Sequence, residues 1–353
     1  MGIHLPKIPS WNVFFSKVKK TAIFITRIPK KVYLRIVYAI YKQWYRLLVY
    51  GLFLGVLLLL PGQNIYEKQL LSATVININS LPFQIPPPAP YPINHQTFPL
   101  PLVTALGVMV VDFDSGVSMY EKNADTPLSP ASTTKVMTAL VTLDNFRPDD
   151  SISVKEISNE SRTMGLSLGE QMSVEALLYG LLIHSANDAA FALSSAVPGG
   201  TEKFIQKMNE KANMLGMTNS HFTNPAGFDD PNHRMSVRDL SRLSLVALKN
   251  PLIAKVVSTR TITVSDTTYT RFHDLVTVND LLGKIPGVAG LKTGYTKDSG
   301  ECLVAYVIKP QGRFIVVILG SQDRFKETAQ LISWILGNFT WSTPILATQS
   351  NRL

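Results

Sequence analysis

Ser129-Pro130-Ala131-Ser132-Thr133-Thr134-Lys135-Val136-Met137-Thr138-Ala139-Leu140 starts an apolar, helix-prone run at a small hydroxyl residue and sets a lysine three positions later. If Ser132 opens that helix, residues three apart share a face, so the Lys135 amine can reach the Ser132 hydroxyl. A serine is a weak nucleophile until its proton is taken. A lysine can take it only when desolvation or nearby positive charge lowers its pKa. Ser-x-x-Lys is common by chance, and Ser16-Lys17-Val18-Lys19 repeats it. The rest of the chain has to separate the two.

Charge and topology do so first. The formal net charge of +9 sits at one end: residues 1–46 carry ten of the 34 lysines and arginines and no acid. That leaves 24 bases against 25 acids, a neutral body that argues against a nucleic-acid-binding domain. After the basic arm comes the uncharged run Leu47–Leu60, ended by Pro61-Gly62. With Trp44 and Tyr45 at the interface and Arg46 snorkelling, it reaches about 17 residues, the low end of what crosses a bilayer. A cleaved signal peptide is the alternative, but the run lies deep in the chain and no Ala-x-Ala-like site follows it. The expectation is a membrane-anchored protein. It has a basic cytoplasmic arm (1–43), a single transmembrane helix (44–61) and an extracytoplasmic remainder. Ser16 then lies on the cytoplasmic side and Ser132 outside.

Eight prolines between Ser80 and Leu102 favour extended polyproline II, so residues 62–103 read as a stiff linker. The body, 104–340, opens with a hairpin pattern, Ala105–Phe113 and Val117–Lys122 around Asp114-Ser115-Gly116. Helical patterns follow at Ser132–Leu143, Val174–His184, Ala189–Ala196, Glu202–Leu215 and Ser236–Leu248, the last with Ser236 as its N-cap. Strand patterns return at Arg260–Val264, Thr268–Phe272, Cys302–Lys309 and Arg313–Leu319, and Arg324–Phe339 closes the body as a helix, leaving 341–353 as a tail. Strands first and last with helices between predict an α+β fold, a central antiparallel sheet flanked by helices with an inserted helical lobe. The single cysteine, Cys302, forms no internal disulfide and reads as buried and inert, and the six histidines show no metal-ligand spacing. No cofactor or metal is called for.

Two short stretches join Ser132 and Lys135. Ser185-Ala186-Asn187-Asp188 follows an apolar helix, and Lys292-Thr293-Gly294-Tyr295 ends the Gly-rich approach Gly287-Val288-Ala289-Gly290-Leu291. Each alone is weak, and Ser10-Trp11-Asn12 shows how easily Ser-x-Asn arises. The order Ser-x-x-Lys, Ser-x-Asn, Lys-Thr-Gly within one outward-facing body is specific. Together with Asp112–Lys122, LIHSANDAA at 182–190, NSHFTNPAGFDDPNHRMSVRDLSRL at 219–243 and GVAGLKTGYTKDSGECLV at 287–304, it resembles the D-alanyl-D-alanine carboxypeptidases. These are the low-molecular-weight penicillin-binding proteins, of β-lactamase/transpeptidase-like fold. The resemblance covers about residues 104–340.

The resemblance implies removal of the terminal D-alanine from peptidoglycan stem peptides through an acyl-enzyme on Ser132, with β-lactams as covalent inhibitors. Lys135 would be the base, Ser185 a proton relay to the leaving amine, and Asn187 a support for Lys135 or the substrate backbone. The backbone N–H groups of Ser132 and Tyr295 would form the oxyanion hole, with Gly294 admitting the peptide to a strand edge. Lys292, Thr293 and Arg324 would grip the substrate carboxylate; Arg324 could instead pair with Asp323 or Glu327 at the surface. A D,D-endopeptidase acting on cross-links is an alternative, as is a penicillin-binding sensor without turnover. A β-lactamase would need an additional deacylating base, and none is identifiable. His184 reads as packing, His221 and His233 as structural hydrogen bonders, and Asp188 as the cap of the following helix. Many members of that family carry a β-rich domain and a C-terminal amphipathic helix after the catalytic part. Neither is expected here, and the N-terminal run would supply the membrane attachment.

Overall fold

The computed structural model describes residues 29–59, 90–158 and 162–343. Most of the basic arm, most of the Pro-rich linker, the end of the expected membrane span and all but the first residues of the C-terminal tail lie outside those residues. Two units are distinct, one up to Pro86 and one from Pro87 onward. In the first, helix α1 (Lys30–Leu59) runs through the expected boundary at residue 44. Leu47, Leu48, Leu52, Phe53 and Leu54 on it are exposed. No described helix is long and apolar enough to cross a membrane.

The second unit is built on five antiparallel strands: β2 (Gly107–Asp112), β3 (Ser118–Lys122), β8 (Val288–Thr296), β9 (Gly300–Ile308) and β10 (Arg313–Ser321). Their order is β3-β2-β10-β9-β8, which leaves β8 as an edge. The central strands are buried on both faces because side chains alternate along a strand. Ile315, Val317 and Leu319 pack toward the helical lobe, whereas Phe314, Val316 and Ile318 pack in a second core with Leu331, Ile332 and Ile335. Those three belong to α8 (Arg324–Asn338), which covers that face of the sheet. Each such side chain contributes roughly 1.5–3 kcal/mol of burial.

Between β3 and β8 the chain forms the inserted lobe. It comprises α2 (Lys135–Asn145), α3 (Val174–Tyr179), α4 (Asn187–Ala196), α5 (Gly200–Met214), α6 (Val237–Leu248) and α7 (Pro251–Val257). Helix α2 is buried at every position from Lys135 to Thr142, so it is packed on all sides and runs through the middle of the lobe, with Thr138 bonding the Pro225 carbonyl and Thr142 its own helix. Ser236 caps α6 as expected, accepting from the Asp239 N–H at 3.1 Å.

Several elements differ from expectation. Ser132 does not open the α-helix; it sits on a 3-10 turn (Ala131–Thr134), and Lys135 begins α2. The expected Val174–His184 helix ends as α3, and a π-turn (Gly180–His184) carries the chain to Ser185. The lobe hairpin is β6 (Thr261–Ser265) with β7 (Phe272–Val276). Its second strand starts later than expected because the Asp266 carboxylate gathers the Thr270 and Arg271 N–H groups (2.7 and 2.9 Å) into a turn. A short hairpin of β4 (Ser151–Ser153) and β5 (Gln171–Ser173) was not foreseen. Nor was β1 (Tyr91–Asn94), which pairs with β11 (Phe339–Ser342). Pro92 is tolerated there because a two-stranded ribbon has open edges. The folded unit therefore begins inside the stretch read as linker, ahead of residue 104.

Candidate active site

The three motifs converge on one cleft of about 190 Å³, lined by Ser132, Ser185, Asn187, Thr293, Gly294, Tyr295 and Arg324. Lys135 and Lys292 lie buried beneath them. All nine residues expected at the site are thus brought together. Larger grooves of about 570 and 440 Å³ lie elsewhere, beside Phe98 and Trp334 and beside Asn219 and His221. Neither includes Ser132, and the chemistry selects the smaller cleft.

The Ser132 turn is fixed by its neighbours. Ala131 is fully buried and adopts a left-handed φ of 46°, which costs an L-residue about 1 kcal/mol or more. Gly227 makes room for it: a Cβ there would stand 1.9 Å from the Ala131 carbonyl oxygen. The Asn224 side chain holds that loop by accepting from the Gly227 and Phe228 N–H groups at 2.7 and 2.9 Å. His233 locks the turn from below. Its Nδ1 accepts from Thr223 N–H (3.1 Å), which leaves Nε2–H to donate to Thr134 Oγ1 (2.8 Å). Burial pushes the His233 pKa down to about 4, so it stays neutral in that role.

Lys135 Nζ contacts three acceptors: Ser132 Oγ at 2.9 Å, Asn187 Oδ1 at 2.7 Å and the Ala226 carbonyl at 2.8 Å. Burial lowers its pKa to about 7, against an opposing pull from the Asp188 carboxylate. Near neutral pH a good fraction of this amine is therefore unprotonated, and the Ser132 hydroxyl can then donate to it. Desolvation is the leading cause. Nearby positive charge, the other cause allowed above, acts instead on Lys292, whose pKa is held well below the lysine range by burial, Lys135, Arg162 and Arg324.

Lys292 Nζ donates to Ser185 Oγ (2.8 Å) and to the Thr293 carbonyl (3.0 Å). Ser185 is a left-handed residue, φ 63°, at the end of the π-turn. That geometry aims its hydroxyl across the cleft, and such strain is typical of functional positions. Asp188 does not cap α4 as expected, since it lies inside the helix. Its carboxylate accepts from the N–H groups of Met164, Gly165 and Leu166 at 3.0–3.1 Å and so ties that loop to the Ser185–Asn187 turn. Both expectations for Arg324 at the surface are corrected: Asp323 caps α8 and Glu327 holds Thr104, while Arg324 Nη1 donates to the Gly294 carbonyl at 2.8 Å.

Strand β8 presents its free edge to the cleft. A Cβ on Gly294 would come within 2.9 Å of both the Ser132 nitrogen and the Ala131 Cβ. Only glycine lets β8 and the Ser132 turn approach this closely, which sets the Ser132 and Tyr295 backbones on either side of one small space. Two residues of the cleft wall carried no sequence signal, Arg162 and Val278. Neither belongs to a motif, and each reaches the cleft through tertiary packing. Cys302 is buried with its thiol pKa pushed up to about 11 by desolvation, inert as expected.

Residues 94–323 match the D-alanyl-D-alanine carboxypeptidase family. The chain is 34% identical over 237 residues to D-alanyl-D-alanine carboxypeptidase DacF of Bacillus subtilis, covering 64% of this chain and 60% of that one. It is 31% identical to a D-alanyl-D-alanine endopeptidase of Pseudomonas aeruginosa, covering 71% of this chain and 81% of that one. Its fold matches the crystal structure of the Streptomyces K15 DD-transpeptidase with a TM-score of 0.64 at 29% identity, over 68% of this chain and all of that one.

Proposed function

The chain belongs to the D-alanyl-D-alanine carboxypeptidase family, and on that footing we propose that it is a serine-type D-Ala-D-Ala carboxypeptidase acting on peptidoglycan stem peptides. The observation that carries this reading is the 2.9 Å contact between Ser132 Oγ and a buried Lys135 amine of pKa about 7. Neutral Lys135 takes the Ser132 proton as Oγ attacks the carbonyl of the penultimate D-alanine. The oxyanion is received by the Ser132 and Tyr295 N–H groups. Collapse breaks the peptide bond, and a proton passes to the leaving amine by way of Ser185, which Lys292 holds. Water then attacks the Ser132 ester with Lys135 again as base, releasing the shortened peptide. The terminal carboxylate is met by Thr293 and Arg324 in the field of Lys292. β-Lactams, which present the same carboxylate and a strained amide, acylate Ser132.

The proposal includes a location: residues 44–61 anchor the protein in the cytoplasmic membrane, 1–43 lie inside, and the enzyme works outside. Support comes from the one-sided charge of residues 1–46 and from the exposed apolar side chains of α1, which in water would have no partner. Extraction of the protein by detergent but not by carbonate, with proteolysis of 104–340 from outside intact cells, is the expected result.

Activity is tested by treating purified muropeptides with the full chain and following products by mass. Pentapeptide stems should lose one D-alanine, and Ser132→Ala should abolish both this and labelling by a fluorescent penicillin. Cleavage of cross-linked dimers instead would favour the endopeptidase reading that the Pseudomonas relative's name suggests. Labelling without any product would favour a sensor.

A further inference from the structure

Arg162 is a cleft residue without a motif. It lies on the wall formed by the helical lobe, where its carbonyl accepts from the Asn187 N–H at 2.8 Å. The Asp188 clasp on Met164, Gly165 and Leu166 keeps the segment that follows it in place. Among the described residues no carboxylate pairs with its guanidinium, and the same holds for Lys292 and for the guanidinium of Arg324. Two guanidinium charges, with a buried Lys292 amine whose pKa burial and their field lower, thus surround one small cleft with no described carboxylate in contact with them. An entering anion relieves that repulsion.

A stem peptide's terminal carboxylate supplies one negative charge, and the proposed reaction directs it to the β8 wall, where Arg324 is bound to Gly294. Arg162 stands on the opposing wall beside Asn187. In a peptide extended along the β8 edge, the terminal carboxylate lies on one side of the attacked carbonyl. The residue preceding D-Ala-D-Ala lies on the other, about 3.3 Å further per residue. Among the described lobe-side residues lining the cleft, Arg162 is the one whose guanidinium fork matches a carboxylate on that preceding residue through a two-pronged hydrogen bond.

We propose that Arg162 is a specificity-determining residue that binds a free side-chain carboxylate on the residue preceding D-Ala-D-Ala. The enzyme therefore favours stems in which that residue is a diamino acid with an unmodified carboxylate, such as diaminopimelate, over amidated or lysine-type stems. This rests on the D-Ala-D-Ala carboxypeptidase reading and deepens it.

The test uses the full chain in detergent micelles and three N-acylated X-D-Ala-D-Ala tripeptides. In these, X is diaminopimelate with its side-chain carboxylate free, the same residue with that carboxylate amidated, or Nε-acetyl-lysine. D-Alanine release gives kcat/KM for each. The wild type should prefer the free carboxylate over its amide by roughly tenfold, the worth of one charge-assisted hydrogen bond. Arg162→Gln should bring that ratio to within about twofold of unity, and Arg162→Lys, which keeps charge but loses the fork, should give an intermediate ratio. Because the readout is a ratio on one protein sample, partial misfolding of a variant cannot imitate it. A wild-type ratio near one, or the same ratio in Arg162→Gln, overturns the proposal. No D-alanine from any tripeptide, together with no penicillin adduct on Ser132, overturns the carboxypeptidase reading itself and this proposal with it.

Discussion

The unprotonated Lys135 amine should set the lower pH limit of Ser132 acylation. An ordinary lysine near pH 10.5 is neutral about once in 3,000 molecules at pH 7, whereas an amine with a pKa of about 7 is neutral about half the time. Burial thus raises the supply of base by about a thousandfold. Below that pKa the neutral fraction falls tenfold per pH unit, so the penicillin acylation rate at pH 6 should be about one tenth of its plateau. Asp188 opposes the shift, and removing its charge with Asp188→Asn should move the midpoint to lower pH, while the amide oxygen can still accept from the Met164 loop. Lys292 is also a depressed buried lysine, and Lys292→Arg fixes its charge; a limb that belongs to Lys135 survives in that variant. Stopped-flow labelling with a fluorescent penicillin between pH 5.5 and 9 measures all three proteins. A flat profile, or a midpoint that rises in Asp188→Asn, would refute Lys135 as the base.

Other outcomes follow from the same geometry. Lys135 has a folded pKa below its unfolded value, so between about pH 7 and 10.5 the unfolded chain binds more protons and this group's contribution to stability rises with pH. Lys135→Met should therefore melt higher than wild type at pH 7, and the gap should narrow toward pH 10. His233 has a folded pKa of about 4 against 6.5 unfolded. Its contribution is complete above pH 6.5 and lost as pH falls to 4, about 3 kcal/mol in all, and His233→Gln should flatten that part of a urea-stability profile. Gly294→Ala places a methyl 2.9 Å from the Ser132 nitrogen, so kcat/KM should fall by about two orders of magnitude while circular dichroism stays native.

The chemistry was more legible than the architecture around it, for a physical reason. The proposed catalysis demands particular atoms, and Ser132, Lys135, Ser185, Asn187 and Lys292 are the side chains that would supply them, so short motifs expose them. The turn that aims Ser132 depends on Ala131 with a left-handed φ and on Gly227, nearly a hundred residues later. Nothing local in the sequence signals such a contact. The strand read at Thr268–Phe272 had good β-forming residues, but the Asp266 carboxylate claimed the backbone N–H groups there and delayed the strand to Phe272. Tyr91–Asn94 was hidden by Pro92 and the prolines before it, and a pairing with Phe339–Ser342 across about 250 residues is invisible to any local pattern.

Asp188 shows where reading by residue type reaches its limit. An aspartate one position into a helix reads as an N-terminal stabiliser, and it does lie in the first turn of α4. Its buried carboxylate does more. It gathers the N–H groups of the Met164–Leu166 loop, opposes the desolvation of Lys135, and fixes the helix start from which Asn187 reaches Lys135 Nζ. One buried acid thus couples three requirements: loop position, base pKa and base orientation. The loop it holds begins just after Arg162, so the wall that would read the substrate and the amine that would activate the nucleophile share a single support. A substitution at Asp188 should therefore alter both the Lys135 limb of the pH profile and substrate preference, whereas one at Arg162 should alter preference and leave the Lys135 limb in place.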